Sequence, residues 1–290
     1  MKVLVTGSSG LIGSQVVKDL LEKNYVVYSC YNSTKPECGI PTNLNLLNKN
    51  EIDSVLTEIK PDSIIHLAAL TDLEMCEKEK DLAFKINADA TEIIAKIAAK
   101  LNSFLVYVST DYVFDGKNGM KKEHDISNPL GCYGKSKLEG EQRLNKLASP
   151  YAIVRTSTPF GFHNTKKSFP IWIKENLESE TEISVLTDQL TSPTYVPNLS
   201  KMVVEIAVKQ IVGIIHAAGA TKISRYSFAE KIAEKLSLDK KFLKPATMNE
   251  MNWIAQRPMD SSLDVSLASE ILQEKPQTIE QSLDLMFSDS

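Results

Sequence analysis

Short apolar runs alternate with helix-spaced apolar positions along the first half of the chain. Residues 2–6 form the first run, and a helical pattern of Val16, Val17, Leu20 and Leu21 follows it. The same alternation predicts later strands at residues 25–31, 63–68, 104–109 and 152–156, and helices over residues 51–58, 83–101 and 135–147. Strands that alternate with helices predict an α/β fold, in which a doubly wound parallel sheet carries helices on both faces.

A glycine-rich turn joins the first predicted strand to the first predicted helix. It reads Gly7-Ser8-Ser9-Gly10-Leu11-Ile12-Gly13, which is a GxxGxxG spacing. Such glycines permit a tight turn, close approach of the backbone to a pyrophosphate, and close packing of helix on strand, while the helix N-terminus adds partial positive charge. A plain turn is the alternative, but the position between strand and helix favours a dinucleotide-binding, Rossmann-type fold.

The strand–helix pattern loosens after residue 156, where prolines interrupt it. These are Pro159, Pro170, Pro193 and Pro197. We therefore expect residues 1–156 to form the dinucleotide-binding Rossmann domain and residues 157–290 to form mainly a smaller substrate-binding region. Within the latter, about residues 185–219 are expected to return to the Rossmann domain.

Tyr133 and Lys137 stand four residues apart, about one helical turn, so their side chains are expected to share a face. At about 5 Å and an effective dielectric of about 20, the ammonium would stabilise an ionised phenol by roughly 3 kcal/mol. We therefore expect Lys137 to lower the pKa of Tyr133 by roughly two units, towards the range in which general acids and bases operate. An exposed helix that carries both residues by chance is the alternative.

Composition and charge exclude several classes of protein. The chain has 290 residues, of which 42% are apolar and 24% charged, and these are ordinary values for a globular protein. The net charge of −4 gives no electrostatic reason to expect a nucleic acid or an anionic membrane as a partner. No apolar run is long enough to span a bilayer, and the first strand leaves no room for a signal peptide. The four cysteines lack metal-ligand spacing, so we expect a cytoplasmic protein without a metal site.

Several motifs together resemble one family of enzymes. The GxxGxxG turn, a Ser-Thr pair at a strand end and Tyr-x-x-x-Lys are similar to the extended short-chain dehydrogenase/reductases. Residues 109–116, Ser-Thr-Asp-Tyr-Val-Phe-Asp-Gly, resemble the STDYVFDG signature of the dTDP-4-dehydrorhamnose reductases. Further similar segments follow in order: Asp188-Gln189, Ser192-Pro193-Thr194, His216-Ala217-Ala218-Gly219, Arg257-Pro258 and Ser262-Leu263-Asp264. The resemblance covers nearly the whole chain and implies reduction of a keto sugar attached to a nucleoside diphosphate.

The resemblance implies catalytic roles for three residues. Tyr133 would donate a proton to the alkoxide that develops at the sugar C4, and Thr110 would hydrogen-bond that oxygen. Lys137 would lower the pKa of Tyr133 and hold the nicotinamide ribose. Ser109 is the alternative to Thr110, because neighbours in a strand face opposite ways and only one hydroxyl should point inward.

The end of the second predicted strand bears on cofactor preference. An acidic residue there would bind the adenosine 2′-hydroxyl and favour NAD. The chain instead has Tyr31-Asn32-Ser33-Thr34-Lys35, with no acid before Glu37, so nothing repels a 2′-phosphate and Lys35 could attract one. We therefore expect NADP(H), with use of NAD(H) as an alternative. The expected cofactor-binding residues are Gly7, Ser9, Gly10, Leu11, Ile12, Asn32, Ser33, Asn45, Leu46, Ala68, Ala69, Thr71, Tyr133 and Lys137.

The resemblance also implies a substrate pocket lined by Asp111, Tyr112 and Thr158. A carboxylate that caps local backbone at a strand end is the alternative for Asp111. Relatives commonly carry a tryptophan where this chain has Thr158, so an aromatic wall is missing. Ser168 stands where many relatives have an asparagine, in a segment implied to bind the nucleotide diphosphate.

Two other functions stay open. The first is another sugar-nucleotide-modifying enzyme, such as an epimerase or a dehydratase; Tyr112 follows Asp111 where dehydratases carry a glutamate, which disfavours elimination. The second is a non-catalytic, NADP-binding regulatory subunit, because the β subunit of methionine adenosyltransferase shares this fold and many of the motifs. A nucleotide sugar is the expected partner of the enzyme, and a homodimer is one assembly left open.

Other polar residues have simpler interpretations. We interpret the acidic run over residues 74–81 as a solvated helix face, and His66, in an apolar strand, as a core histidine with satisfied hydrogen bonds. His216 is expected to be structural. Asn87 resembles a family asparagine that supports the catalytic strand.

Overall fold

A seven-stranded parallel sheet forms the centre of the protein, in the order β11-β6-β5-β4-β1-β2-β3. The structure, a computed structural model, describes residues 1–146 and 149–288. The strands of this sheet are β1 (Lys2–Thr6), β2 (Val26–Tyr31), β3 (Ile40–Asn43), β4 (Ser63–His66), β5 (Phe104–Thr110), β6 (Tyr151–Thr156) and β11 (Gly213–His216). The chain runs outward from β1 to β3, then returns past β1 and continues in the other direction. The predicted α/β fold with a Rossmann-type, doubly wound sheet is confirmed.

Helices cover both faces of the sheet, and each face has its own apolar core. On one face, α1 (Leu11–Glu22) packs against α8 (Val196–Lys209) through side chains such as Val16, Leu20 and Val203. On the other face, α2 (Lys49–Ile59) packs against α5 (Ala90–Leu101). The helix α6 (Cys132–Leu144) lies beside α5 and carries Tyr133 and Lys137. Burial on both faces explains why the central strands are continuous apolar runs.

Two predicted helices differ from the structure, and one strand was not predicted. The single helix expected over residues 83–101 is divided into α4 (Lys80–Phe84), one π-helical turn (Lys85–Asp89) and α5. The edge strand β3 was missed, because Ile40-Pro41-Thr42-Asn43 is mostly exposed and lacks an apolar run, and proline is tolerated at a sheet edge. The helix α6 begins three residues before the predicted start, and its predicted end, residue 147, lies outside the described residues.

Most elements after β6 build a second layer beyond the C-terminal ends of the central strands. They are β7 (Pro159–Phe160), α7 (Phe169–Glu178), β8 (Ile183–Leu186), β9 (Leu190–Thr191), β10 (Thr194–Tyr195), β12 (Ile223–Ser224), α9 (Arg225–Lys235), β13 (Leu243–Ala246) and α11 (Ile279–Met286). By contrast, α10 (Ser266–Ile271) contacts β11, and its Ala268 belongs to the apolar core around α1 and α8. Phe160, Ile173, Phe228 and Leu283 are among the side chains of a separate apolar core there. The division of the chain into residues 1–156 and 157–290 stays a prediction. Across the described ranges, no helix combines the length and apolar character that crossing a membrane requires.

Candidate active site

The glycine turn between β1 and α1 is shaped by contacts that side chains would block. Gly7 has φ +67°, and a Cβ there would lie 2.9 Å from the backbone nitrogen of Ala68. A Cβ on Gly13 would lie 2.1 Å from the carbonyl oxygen of Gly7. Gly10 is the N-cap of α1 and has no side-chain capping bond, so the first N–H groups of that helix stay available to an anion. The turn therefore has the form of a pyrophosphate cradle.

A cleft of about 670 Å³ runs along the C-terminal ends of β1, β2, β4, β5 and β6. Every expected site residue lines it. They are Gly7, Ser9, Gly10, Leu11, Ile12, Asn32, Ser33, Asn45, Leu46, Ala68, Ala69, Thr71, Thr110, Asp111, Tyr112, Tyr133, Lys137 and Thr158. The structure therefore brings the glycine turn, the Tyr-Lys pair and the strand-end hydroxyl into one cavity, and their roles stay predictions.

Loop geometry beside the cradle is fixed by Thr6 at the end of β1. Its Oγ1 accepts hydrogen bonds of 3.1 Å from the backbone N–H groups of Leu67 and Ala68, and it also bonds Nδ1 of His66 at 2.7 Å. His66 Nε2 bonds the Thr91 hydroxyl at 3.1 Å. His66 is thus a core histidine with both ring nitrogens paired, as expected. Burial lowers its pKa to about 3, so the ring is neutral.

Lys137 does not lower the pKa of Tyr133 in this structure, and that expectation is wrong. Lys137 is 2% exposed; its Nζ donates a 2.8 Å hydrogen bond to the Val108 carbonyl oxygen and lies 4.0 Å from the centroid of the Tyr107 ring. Burial raises the pKa of Tyr133 well above its usual range, and the hydrogen bond with Thr110 only partly offsets this. Burial also lowers the pKa of Lys137 to about 7. Desolvation, which sequence spacing does not reveal, is the main cause of the shift at both groups.

Thr110, not Ser109, offers its hydroxyl to the cleft beside Tyr133. The Ser109 hydroxyl donates to Oε1 of Glu141, which also pairs with Arg155. The Thr110 hydroxyl donates to Oδ1 of Asp111 at 3.0 Å and hydrogen-bonds the Tyr133 side chain. The two neighbours face opposite ways, as the strand geometry requires.

Asp111 is a buried acceptor of hydrogen bonds as well as a residue that lines the cleft. Its two oxygens accept from Thr110 at 3.0 Å and from Ser157 at 2.7 Å. Burial raises the pKa of Asp111, and the hydrogen bonds from Ser157 and Thr110 act against that rise. Asp111 therefore fixes the orientation of the Thr110 hydroxyl.

Asn87 ties the cofactor side of the cleft to the helix that carries Tyr133. It lies in the π-helical turn before α5 and exchanges hydrogen bonds of 2.8 and 3.0 Å with the backbone of Leu70. Its Nδ2 also donates to the hydroxyl of Ser136 in α6 at 3.0 Å. A π-turn often marks a functional site, and here it directs the amide between two walls of the cleft.

The substrate end of the cleft contains an arginine that the sequence reasoning missed. Arg225 lines the cleft, and its Nη2 lies 3.5 Å from the hydroxyl of Thr158. Thr158 has φ +43°, which is strained for a β-branched residue. Lys166 lines the same cleft and was also missed. No local pattern marks Arg225, since it stands about 90 residues after Tyr133 and meets the site only through the fold.

The acidic run over residues 74–81, which spans α3 (Leu73–Lys78) and the start of α4, is not simply a solvated face. Glu74 accepts a hydrogen bond from the Ile254 backbone and pairs with Arg257, and Glu77 accepts a 2.6 Å bond from the N–H of Cys132. The expectation is wrong for these two residues, because they anchor neighbouring loops beside the cleft. His216 is buried against Phe114, which fits a structural role.

Comparisons with known proteins agree with this geometry. The family model described as "RmlD substrate binding domain" matches residues 1–290. A dTDP-4-dehydrorhamnose reductase of Aggregatibacter actinomycetemcomitans is 32% identical, with 91% of each chain covered. The methionine adenosyltransferase 2 subunit beta of Bos taurus is also 32% identical, over 91% of this chain and 80% of that one. The crystal structure of dTDP-4-dehydrorhamnose reductase from Bacillus anthracis in complex with NADP has a TM-score of 0.89 at 31% identity, covering 100% of this chain and 99% of that one.

Proposed function

Because the chain belongs to the RmlD substrate binding domain family, we propose that it is an NADP(H)-dependent reductase of a nucleotide-linked 4-keto-6-deoxy sugar. The proposed reaction converts dTDP-4-dehydrorhamnose to dTDP-rhamnose. The convergence of Thr110, Tyr133 and Lys137 in the cleft that begins at the glycine turn is the observation that carries this proposal.

The residues present fit a dinucleotide. Gly7, Gly10 and Gly13 allow the close backbone packing of the turn that presents the N-terminus of α1 to a pyrophosphate, and the small residues Ala68 and Ala69 flank the path from the turn to Tyr133. The nicotinamide cofactor, when bound, supplies a hydride. Lys35 stands beyond the end of β2, where its charge supports a preference for the 2′-phosphate of NADP(H).

Tyr133 acts as the proton donor in this proposal. Its raised pKa keeps the phenol protonated at neutral pH, which an acid that gives its proton to the C4 oxygen requires. As the carbonyl carbon takes up hydride, the oxygen gains negative charge and receives the Tyr133 proton. The Thr110 hydroxyl, which donates to Asp111 in the free protein, turns to hold that oxygen in place. Lys137 would hold the nicotinamide ribose, and the phenolate left on Tyr133 regains a proton from solvent.

Purified protein mixed with NADPH and dTDP-4-keto-6-deoxy-L-mannose should consume NADPH, seen as loss of the reduced nicotinamide absorbance. Tyr133→Phe should lower turnover by roughly 10²- to 10⁴-fold, the usual contribution of a general acid, and leave NADPH binding nearly intact. Tyr151→Phe is the matched control, since it removes a phenol oxygen at the opposite end of β6, bonded there to Asn145. Substantial turnover by Tyr133→Phe would remove Tyr133 from the acid role.

A regulatory subunit is the second candidate, favoured by the identity to the methionine adenosyltransferase subunit. It predicts NADPH binding, turnover equal to a protein-free control, and a stable complex with a methionine adenosyltransferase catalytic subunit on size-exclusion chromatography. The reductase proposal predicts turnover instead. A cytoplasmic location and a homodimer stay predictions.

A further inference from the structure

Arg225 is a cation on the wall of the cleft without a carboxylate partner. It forms no salt bridge with any residue in the ranges 1–146 and 149–288. Its Nε lies 3.4 Å from Oε1 of Gln189 and its Nη2 lies 3.5 Å from Oγ1 of Thr158, both at the long limit for a hydrogen bond. The two N–H groups of Nη1 have no partner among the same residues. The guanidinium therefore has donors to spare for a ligand.

The position of Arg225 is electrostatically unfavourable in the free protein. It is the first residue of α9, an 11-residue helix, so the cation stands at the positive end of the helix dipole. Burial lowers the pKa of Arg225, and the nearby cation of Arg257 acts in the same direction. Asp111 offers partial compensation through space, but its oxygens already accept from Thr110 and Ser157. An anion bound at the guanidinium would be attracted by the Arg225 charge, by the nearby Arg257 charge and by the positive end of the helix dipole.

Neighbouring residues hold the guanidinium towards the substrate end of the cleft. It stacks on the ring of Phe169, with 5.3 Å between the guanidinium carbon and the ring centroid. Phe169 begins α7, so the N-termini of α7 and α9 both lie beside the charge. The backbone N–H of Arg225 is bound at 3.1 Å by the Gln189 carbonyl oxygen, which fixes the start of α9. Thr158, in its strained conformation at φ +43°, places its hydroxyl 3.5 Å from Nη2 of Arg225.

We propose that Arg225 is a specificity-determining residue that binds an oxyanion of the nucleotide-sugar substrate. The proposal rests on the proposed function in taking a nucleotide sugar as the ligand. The planar fork of the guanidinium fits two oxygens of one anionic group, either a phosphate of the diphosphate linker or a carboxylate on the sugar ring. Both sources share this chemistry, and binding measurements separate them.

The test compares wild type, Arg225→Gln, Arg225→Lys and the control Lys231→Gln by calorimetric titration with dTDP, dTDP-glucose and dTDP-glucuronic acid. Lys231 lies on the same helix and pairs with Glu280, so Lys231→Gln removes one positive charge, as Arg225→Gln does. If the linker is bound, Arg225→Gln weakens all three ligands by roughly 10- to 100-fold, Arg225→Lys by less, and Lys231→Gln not at all. If a sugar carboxylate is bound, only the affinity for dTDP-glucuronic acid falls.

Unchanged affinity of Arg225→Gln for all three ligands overturns the proposal, as does a wild-type protein that binds none of them. A loss of thermal stability with unchanged affinity would assign Arg225 to packing against Phe169 and also overturn it. Turnover of NADPH is measured separately. If dTDP binding depends on Arg225 but the protein shows no turnover, the reductase function is contradicted and the Arg225 site is supported. If the protein turns over NADPH but binding does not depend on Arg225, the Arg225 site is contradicted and the reductase function is supported.

Discussion

The ammonium nitrogen of Lys137 lies 4.0 Å from the centroid of the Tyr107 ring, with the ring fully buried beneath it. The Tyr107 hydroxyl donates a 3.0 Å hydrogen bond to the Asn87 carbonyl oxygen. A Cβ on Gly140 would lie 2.6 Å from that hydroxyl, so the ring fits tightly beneath α6. Lys137 thus rests on an aromatic face that stabilises a cation where water cannot.

Removing that aromatic face should make Lys137 easier to deprotonate. A desolvated cation–π contact contributes about 2 kcal/mol, so Tyr107→Leu is expected to lower the pKa of Lys137 by about 1.5 units. The alkaline limb of kcat/KM against pH should move to lower pH by that amount. Tyr107→Phe keeps the ring and loses only the hydroxyl, so its kcat/KM should fall over the same pH range as that of the wild type. Profiles that coincide for the leucine and phenylalanine variants would show that the ring does not support the charge.

Activity should also fall as the pH rises through the pKa of Lys137, which burial lowers to about 7 in the free protein. In the proposed function Lys137 acts as a cation, and its protonated fraction decreases above that pKa, so kcat/KM should decline from neutral towards alkaline pH. Lys137→Arg keeps its charge over this range and should lack the decline, at a lower absolute rate. An equal decline in the arginine variant would assign the limb to another group.

Two glycines of the turn should respond differently to alanine. In Gly13→Ala the new Cβ meets the Gly7 carbonyl oxygen at 2.1 Å, so the backbone must shift, and we expect a loss of about 1–3 kcal/mol of stability. That loss should lower Tm by about 2–4 °C per kcal/mol. In Gly10→Ala the nearest atom is 3.2 Å away, so Tm should change little while NADPH affinity falls. Calorimetry with and without NADPH measures both, and equal Tm losses in the two variants would contradict the prediction.

Removing one partner of the buried ion pair between Glu141 and Arg155 should lower the free energy of unfolding more than replacing both partners with apolar residues. The two side chains are 2% and 3% exposed, and they meet at 2.7 Å. Glu141→Gln leaves a buried guanidinium unpaired and should cost about 3–5 kcal/mol of unfolding free energy. The double variant Glu141→Leu/Arg155→Met should recover part of that loss in urea unfolding. A double variant whose loss equals the sum of the two single losses would show that the two residues are not energetically coupled and would contradict the prediction.

Much of the site could be predicted because its parts are local motifs. The glycine turn, the strand-end hydroxyl and the Tyr-x-x-x-Lys spacing each fall within a few residues, and parallel strands bring their C-terminal ends to one edge of the sheet. The choice of Thr110 over Ser109 needed the structure, because only there does Ser109 meet Glu141.

The features that could not be predicted depend on burial and on distant contacts. The spacing predicted Lys137 beside Tyr133. It did not show that the Lys137 ammonium hydrogen-bonds the Val108 carbonyl and lies on the Tyr107 ring. Arg225 meets Thr158 across 67 residues of sequence, with no periodic pattern to mark it. The exposed edge strand β3 has no apolar run, so hydrophobicity carried no signal for it.

The pairing of α1 with α8 has a consequence for biosynthesis. The apolar side chains of α1 are covered by α8, which leaves the ribosome much later. At about 5–20 residues per second, roughly 10–40 seconds separate the synthesis of the two helices. During that time Val16, Val17 and Leu20 stay open to solvent or to a chaperone. A nascent chain interrupted before α8 therefore carries an uncovered apolar helix, and its accumulation should lead to aggregation or rapid proteolysis.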